Sequence, residues 1–343
     1  MKLDVGLSSS GIPVKVDLAE YNNMHVNIDG ASGTGKTTLL RNMASQIPSQ
    51  GGHVVFFDAS GDSLLKTLSD IEGFQTIDVR SKSLSYNPLL QQVRPSGQLE
   101  QLVDVGFRFS AEVRGSYAIT AAQEYYLANS VNEYLLSNPP PHSIRGFVSF
   151  AKANGERKRQ LATSLARLDH LSNAISCGED RTPWDFPTPG ITVLLFGDVP
   201  SVSLQALISE IILEDVLYQR MTTDNPDKPP LILVFDEAHR FNFAEGSSLV
   251  RLLREGRRFG MAGWFATQYI TKPAAVDALG NVGLRIQFCP AKDPVKVAGS
   301  MARGDKEQKS SLLKELPNLR PGEFFIPNRN GKLWKVVRNE SDR

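Results

Sequence analysis

The 343-residue chain predicts an α/β protein: a mostly parallel β-sheet, covered by helices on both faces and built around a phosphate-binding loop. Three observations carry that prediction. Short apolar runs alternate with helical ones along the chain. An early run leads into His25-Val-Asn-Ile-Asp-Gly-Ala-Ser-Gly-Thr-Gly-Lys-Thr-Thr38, which fits G-x-x-x-x-G-K-[ST] through Gly30, Gly35, Lys36 and Thr37. A later run, Leu231-Ile-Leu-Val-Phe-Asp-Glu237, is an apolar strand ending in two acids.

Strands are expected at 25–29, 53–58, 191–196, 231–236 and 261–267, with another near 285–288. Most are apolar and often β-branched with little alternation, as strands buried on both faces should be. Helices are expected at 37–47, 203–220 and 247–259. From Gln98 to about Cys177 the texture changes. Leu99, Leu102, Val103 and Phe107, then Leu127, Val131, Tyr134 and Leu135, recur at helical spacing. Pro139-Pro-Pro141 and Gly155 break this stretch into pieces, and a Pro-rich loop at 181–189 ends it. The division that follows is 1–97 for the first part of the core, 98–187 for a helical insertion and 188–343 for the second part. Residues 322–337 read as a β-hairpin with Pro327-Asn-Arg-Asn-Gly331 at its turn, and the polar tail 338–343 should fray.

The phosphate loop has a physical logic. Its glycines let the backbone curl so that successive N–H groups face phosphate oxygens, and the following helix adds unpaired donors and partial positive charge. Gly30, Ser32, Gly33, Thr34, Gly35, Lys36, Thr37 and Thr38 are therefore the expected nucleotide-binding residues. Lys36 reaches the β- and γ-phosphates, and the Thr37 hydroxyl holds Mg²⁺. ATP with Mg²⁺ is the expected cofactor pair. In the acidic strand end, Asp236 is expected on the metal side and Glu237 as the base that polarises water. The strand Met261-Ala-Gly-Trp-Phe-Ala-Thr267 is followed by Gln268, placed to sense the γ-phosphate and orient water. Between these strands lies Leu252-Leu-Arg254-Glu-Gly-Arg257-Arg258-Phe-Gly260. Its arginines read either as a solvated basic face or as groups that neutralise phosphoryl charge across a subunit boundary.

Global composition narrows the partners. Charge is balanced, 38 Lys+Arg against 37 Asp+Glu, so a DNA-binding surface must concentrate its basic groups locally. Arg145, Lys152, Arg157-Lys-Arg159 and Arg167 make the insertion locally basic; 60–66 and 241–247 are alternative contact loops. Two cysteines, Cys177 and Cys289, are too few for a disulfide framework and suit a reducing cytoplasm. No apolar run approaches the roughly 18 residues of a membrane span, so the expected location is cytoplasmic.

The ordered set of motifs resembles the HerA/FtsK superfamily of ring-forming DNA motor ATPases, closest to its HerA-like branch. The carrying residues are Gly30–Thr37, Ser85-Tyr-Asn-Pro-Leu89, Asp236-Glu-Ala-His-Arg240, Arg254-Glu-Gly-Arg-Arg-Phe-Gly260, Ala266-Thr-Gln268, Asp293-Pro294 and Leu319-Arg-Pro-Gly-Glu-Phe-Phe325. The match spans about 5–337. The resemblance implies a RecA-like core, a hexameric ring with ATP between subunits, double-stranded DNA in the channel, and a nuclease or other effector as partner. It maps the catalytic arginine to Arg257 or Arg258, with Arg254 and Arg285 as further candidates, and leaves His239 as structural. Full HerA motors carry an N-terminal β-barrel, for which the 24 residues before the first core strand leave no room. A partner-regulated assembly ATPase and a packaging or conjugation pump are the alternatives.

Overall fold

The computed structural model describes residues 1–58, 68–81, 86–93, 96–117, 119–175, 184, 186, 188–197, 199, 201–222, 228–268, 273–327 and 332–337. The candidate loop 60–66, Ser85, Cys177, most of 181–189, the hairpin turn 328–331 and the tail 338–343 lie outside the described residues.

The sheet has a parallel core and an antiparallel extension. The core strands are β3 (Val26–Asp29), β4 (His53–Asp58), β5 (Phe74–Asp78), β6 (Gly190–Leu195), β7 (Leu231–Phe235), β8 (Met261–Thr267) and β9 (Leu284–Gln287). The extension is β1 (Lys2–Ser8), β2 (Pro13–Asp17), β10 (Glu323–Pro327) and β11 (Leu333–Val337). The order is β2-β1-β11-β10-β9-β3-β8-β7-β4-β6-β5. Pairing is parallel from β9 to β5 and antiparallel among β9, β10, β11, β1 and β2.

Alternation along each central strand assigns its side chains to two cores. Val26, Ile28, Val54, Phe56, Ile232, Val234 and Trp264 face one core, which α1 (Lys36–Ser45) covers with Leu39, Leu40 and Met43. Val55, Phe57, Leu233, Phe235 and Phe265 face the other. There α7 (Val202–Thr222) and α8 (Ser248–Glu255) pack, together with helices of the region the sequence marks as an insertion, which holds five, all but the short Gly155–Gln160 helix lending residues to this core. Those five are α2 (Leu102–Tyr117), α3 (Ala121–Ser137), α4 (Ile144–Ala153), α5 (Gly155–Gln160) and α6 (Ala162–Ala174). Thr120 begins α3 with a reciprocal capping box to Gln123, and Ser143 caps α4, so each piece has its own start signal after a break. Each fully buried Leu, Ile, Val or Phe contributes about 1.5–3 kcal/mol. The two-sided core holds the edges of the sheet in place.

The strands expected from the sequence, and two of the three expected helices, appear within one or two residues of the expected ends; the helix expected at 247–259 stops at Glu255, and Gly256–Phe259 form a 3-10 turn. Six described elements were not expected: β1, β2, β5, α9 (Pro273–Gly280), α10 (Pro294–Ala302) and α11 (Lys306–Glu315). Strand β5 lies at the sheet edge, where Gln75, Thr76 and Asp78 are exposed and hide the apolar signal. Among the described residues, no helix is long and apolar enough to cross a membrane.

Candidate functional site

The site is built at the C-terminal edge of the parallel strands, the edge where ligands of open α/β sheets bind. β3 ends at Asp29 and the chain turns into the loop preceding α1. Gly30 is required by close approach: a Cβ there would stand 2.5 Å from Phe288 Cβ. Gly33 is required by its backbone instead, with φ +75° and open space around its missing Cβ. Gly35 caps α1 from the left-handed region, φ 105°.

Three parts of the chain brace this loop through its backbone. Gly30 N donates to Thr267 O at 3.2 Å, Ala31 N to Cys289 O at 2.7 Å, and Gly322 N to Thr34 O at 2.8 Å. The motif around Leu319–Phe325, unassigned from sequence, thus supports the loop just before β10. Ser32 and Gly33 remain exposed at the tip, and Thr34 Oγ1 donates to Ala31 O at 2.8 Å.

Lys36 is buried, and its Nζ donates to Ala31 O at 2.8 Å, across the curl of its own loop. Burial lowers its pKa, opposed by Glu237, Asp236 and Asp29. Thr37 Oγ1 lies 3.0 and 3.2 Å from the two carboxylate oxygens of Asp236. That contact spans β8, which separates β3 from β7. Burial raises the Asp236 pKa, against the Thr37 hydrogen bond.

Glu237 sits in the left-handed region at φ 57°, ψ 50°, a costly conformation for a non-glycine residue. Gln268 Nε2 donates to its Oε1 at 2.7 Å. His239 Nδ1 stands 3.1 Å from its Oε2, within ion-pair distance, yet Oε2 is enclosed and accepts no hydrogen bond. The two observations agree if the ring approaches off the bonding direction. Glu237 therefore has one oxygen fixed and one lone pair open.

The residues fit a magnesium nucleotide. Open space faces Gly33, and the first-turn N–H groups of α1 have no intrahelical acceptor. Lys36 and Thr37 bind internal groups that phosphate oxygens and a hydrated cation can replace.

Two neighbours were missed in the sequence. Asp29, just before the loop, has its pKa raised to about 6 by burial, partly offset by the Asn27 amide, Arg285 and Lys36. Arg41, one helical turn after Thr37, lies in the field of Asp236 and Asp58, and burial lowers its pKa. The i, i+4 spacing from Thr37 was the available signal.

Arg254, Arg257 and Arg258 are elsewhere, whereas Arg285 lines the same cavity as Asp29, Gly30 and Gln268. Arg257 and Arg258 are exposed in the 3-10 turn Gly256–Phe259 that precedes β8. They therefore sit at the N-terminal edge of the sheet. Across the seven residues of β8 that is about 20 Å from the loop. Arg257 NH1 donates to Asn22 O at 2.5 Å, and Arg258 lies over Phe259 at 5.6 Å. Arg254 pairs with Glu245, and Arg285 donates to Gly280 O at 2.7 Å. The fold does not bring Arg257 or Arg258 to the loop of its own chain.

Fold and edge chemistry together define a RecA-like P-loop ATPase. Residues 3–95 match the family model described as the central domain of helicase HerA. The DNA double-strand break repair helicase HerA of Saccharolobus solfataricus is 23% identical over 97% of this chain and 67% of its own length. VirB4 of Thermoanaerobacter pseudethanolicus superposes with a TM-score of 0.74 at 13% identity, covering 99% of this chain and 97% of that one. The bacterial conjugative coupling protein TrwB, solved with ADP and Mg²⁺, superposes at 0.64 with 17% identity over 98% and 89%. The chain is an ATP-hydrolysing enzyme similar in sequence to HerA and in fold to VirB4 and TrwB.

Proposed function

We propose that this chain is a HerA-like motor that hydrolyses ATP between subunits of a homo-oligomeric ring, a hexamer, and moves double-stranded DNA. The observation that carries the reading is the joined pair of contacts at the sheet edge, Thr37 with Asp236 and Gln268 with Glu237. Bound Mg²⁺ would polarise the γ-phosphoryl group and neutralise its charge. Lys36 binds the phosphates, and Thr37 and Asp236 hold the cation. Glu237 takes a proton from water, while Gln268 fixes the carboxylate by Oε1.

The position of Arg257 and Arg258 supports a shared site. Exposed at the opposite sheet edge, they can neutralise phosphoryl charge only in a neighbouring subunit. The relatives, a DNA double-strand break repair helicase and a conjugative coupling protein, support DNA as the substrate. A nuclease or other effector is the proposed partner.

One observation favours a partner-regulated ATPase as the second reading. Several basic groups of the insertion are spent on internal contacts. Lys152 pairs with Asp169, Arg157 with Glu133, and Arg167 donates to Tyr117 O. Lys158 and Arg159 stay exposed. In the loop 241–247 only Ala244, Glu245 and Gly246 are exposed.

The test is ATP hydrolysis with and without linear duplex DNA, with Lys36→Ala as the blank. Several-fold stimulation that fades with rising salt supports the motor. Turnover indifferent to duplex at every salt concentration moves the function to the partner-regulated reading.

A further inference from the structure

In the Asp236-Glu-Ala-His-Arg240 string the proposed chemistry leaves His239 unused. His239 follows Glu237 on a single short turn, in which Arg240 N donates to Glu237 O at 2.9 Å and Phe241 N to Ala238 O at 3.1 Å. That turn fixes the left-handed backbone of Glu237 and carries the imidazole to its side chain. Gln268 holds Oε1 at 2.7 Å, and His239 Nδ1 stands 3.1 Å from Oε2. The Glu237 side chain is about one-quarter exposed and that of His239 about one-half, 27% and 47%. The ring therefore forms the outer wall of a carboxylate that is otherwise enclosed.

We infer that His239 is a positioning residue for the Glu237 base, its Nδ1 edge holding Oε2 at the angle from which it accepts a proton from water. This rests on the reading of Glu237 as the base. The physical argument concerns freedom of rotation. A carboxylate held by one oxygen still swings about its terminal torsion, which is broad and roughly two-fold. A second contact on the other oxygen removes that swing. Because the contact is off the hydrogen-bond direction, it restrains Oε2 without consuming its lone pair. A full hydrogen bond there would compete with the proton the base must accept. A misplacement of about 1 Å at a reacting group can cost about 100-fold in rate.

Three substitutions separate this role from a surface pair. An Asn side chain puts an amide nitrogen where Nδ1 stands, so His239→Asn should keep kcat within about 3-fold, whereas His239→Ala should lose about 10- to 100-fold. KM for ATP and affinity for a non-hydrolysable ATP analogue should be unchanged in both. Without nucleotide, the chain's five histidines allow selective ¹⁵N labelling. Glu237→Ala should shift the His239 ring-nitrogen signals, because it removes a charged group 3.1 Å from Nδ1.

Wild-type kcat in His239→Ala, an Asn variant no better than the Ala variant, or ring signals indifferent to Glu237→Ala each overturn the inference. Glu237→Gln is the control for the underlying reading. If that variant turns over normally, Glu237 is not the base. If it is inactive while the histidine variants are normal, only the role of His239 fails.

Discussion

Two regions of this molecule hold carboxyl groups that burial pushes upward, and they do so for different ends. At the sheet edge, burial raises Asp29 to about 6 and raises Asp236 above its ordinary value. At the junction of α2 with α7, Glu210 is raised to about 7, and Glu112 well above its ordinary value. A cavity of about 700 Å³ opens at the junction as well. Perturbed acids beside a cavity therefore do not by themselves separate a reactive site from scaffolding.

The partners separate them. At the edge, the contacts are side-chain tips that another ligand can take over: a hydroxyl on Asp236 and an amide on Glu237. At the junction, the contacts tie elements together. Ser248 N, in the first turn of α8, donates to Glu210 at 2.7 Å. Arg251 grips both oxygens of Glu214 at 2.8 and 3.0 Å, and Arg108 forks onto both oxygens of Glu100 at 3.0 Å. The first set is exchangeable, and the second is part of the frame joining the insertion to the core.

The comparison breaks most sharply on the arginines. Removing both Arg257 and Arg258 should lower turnover by about 10³- to 10⁵-fold, the range for an arginine that completes a phosphoryl-transfer site. Mixing that double variant with Lys36→Ala protein should restore activity. In mixed rings, an intact loop on one subunit then meets an intact arginine on another. No recovery on mixing would mean that the arginines do not act across a boundary.

Glu237→Gln should lower turnover by about 10²- to 10⁴-fold, as expected for loss of a general base. Nucleotide binding and the thermal midpoint should change little, because an exchangeable contact supports little of the fold. Arg108→Ala should show the reverse pattern. It strands Glu100 and Glu112 in the interior and should cost about 3–5 kcal/mol of stability. KM for ATP should be unchanged in the protein that remains folded. A large kcat loss with normal stability in Arg108→Ala would erase the distinction between the two regions.

The sequence made the exchangeable region legible and left much of the frame hidden. Gly30 and Asp236 directly follow strands, Lys36 and Thr37 open the helix after the loop, and apolar runs such as Leu231–Phe235 reveal the strand ends directly. The geometry adds the Thr37–Asp236 and Gln268–Glu237 contacts, because contacts between separate strands depend on strand order. Asp29 was passed over as the last residue of a strand, although its burial places it beside the loop. Strands β1 and β2 were missed because they pair late in the sheet order, with β11 bringing them in from the far end of the chain. The Glu210 and Arg251 network was invisible for a related reason. Charged residues on a helix read as solvated unless the fold supplies a second helix against them.

The smallest effect concerns the frame's own titration. Folded, Glu210 holds its proton up to about pH 7, whereas the unfolded chain releases it near the ordinary 4.5. Between those values the folded state binds more protons, so stability should fall as pH rises from about 4.5 to 7 and level off above. The acids and bases around Glu210 are Glu112 and Arg108 from α2, Glu214 from α7, and Arg251 from α8. Glu112 is raised in the same direction and adds to the slope. Glu210→Gln keeps an acceptor for Ser248 N but has no proton to lose. Its stability should therefore change less across that window, by at most about 3 kcal/mol at 1.36 kcal/mol per pH unit. Urea midpoints at pH 5 and pH 7.5 measure the difference. Equal slopes in the two proteins would mean that Glu210 is ionised throughout, with the Ser248 N–H and Arg251 compensating its burial in full.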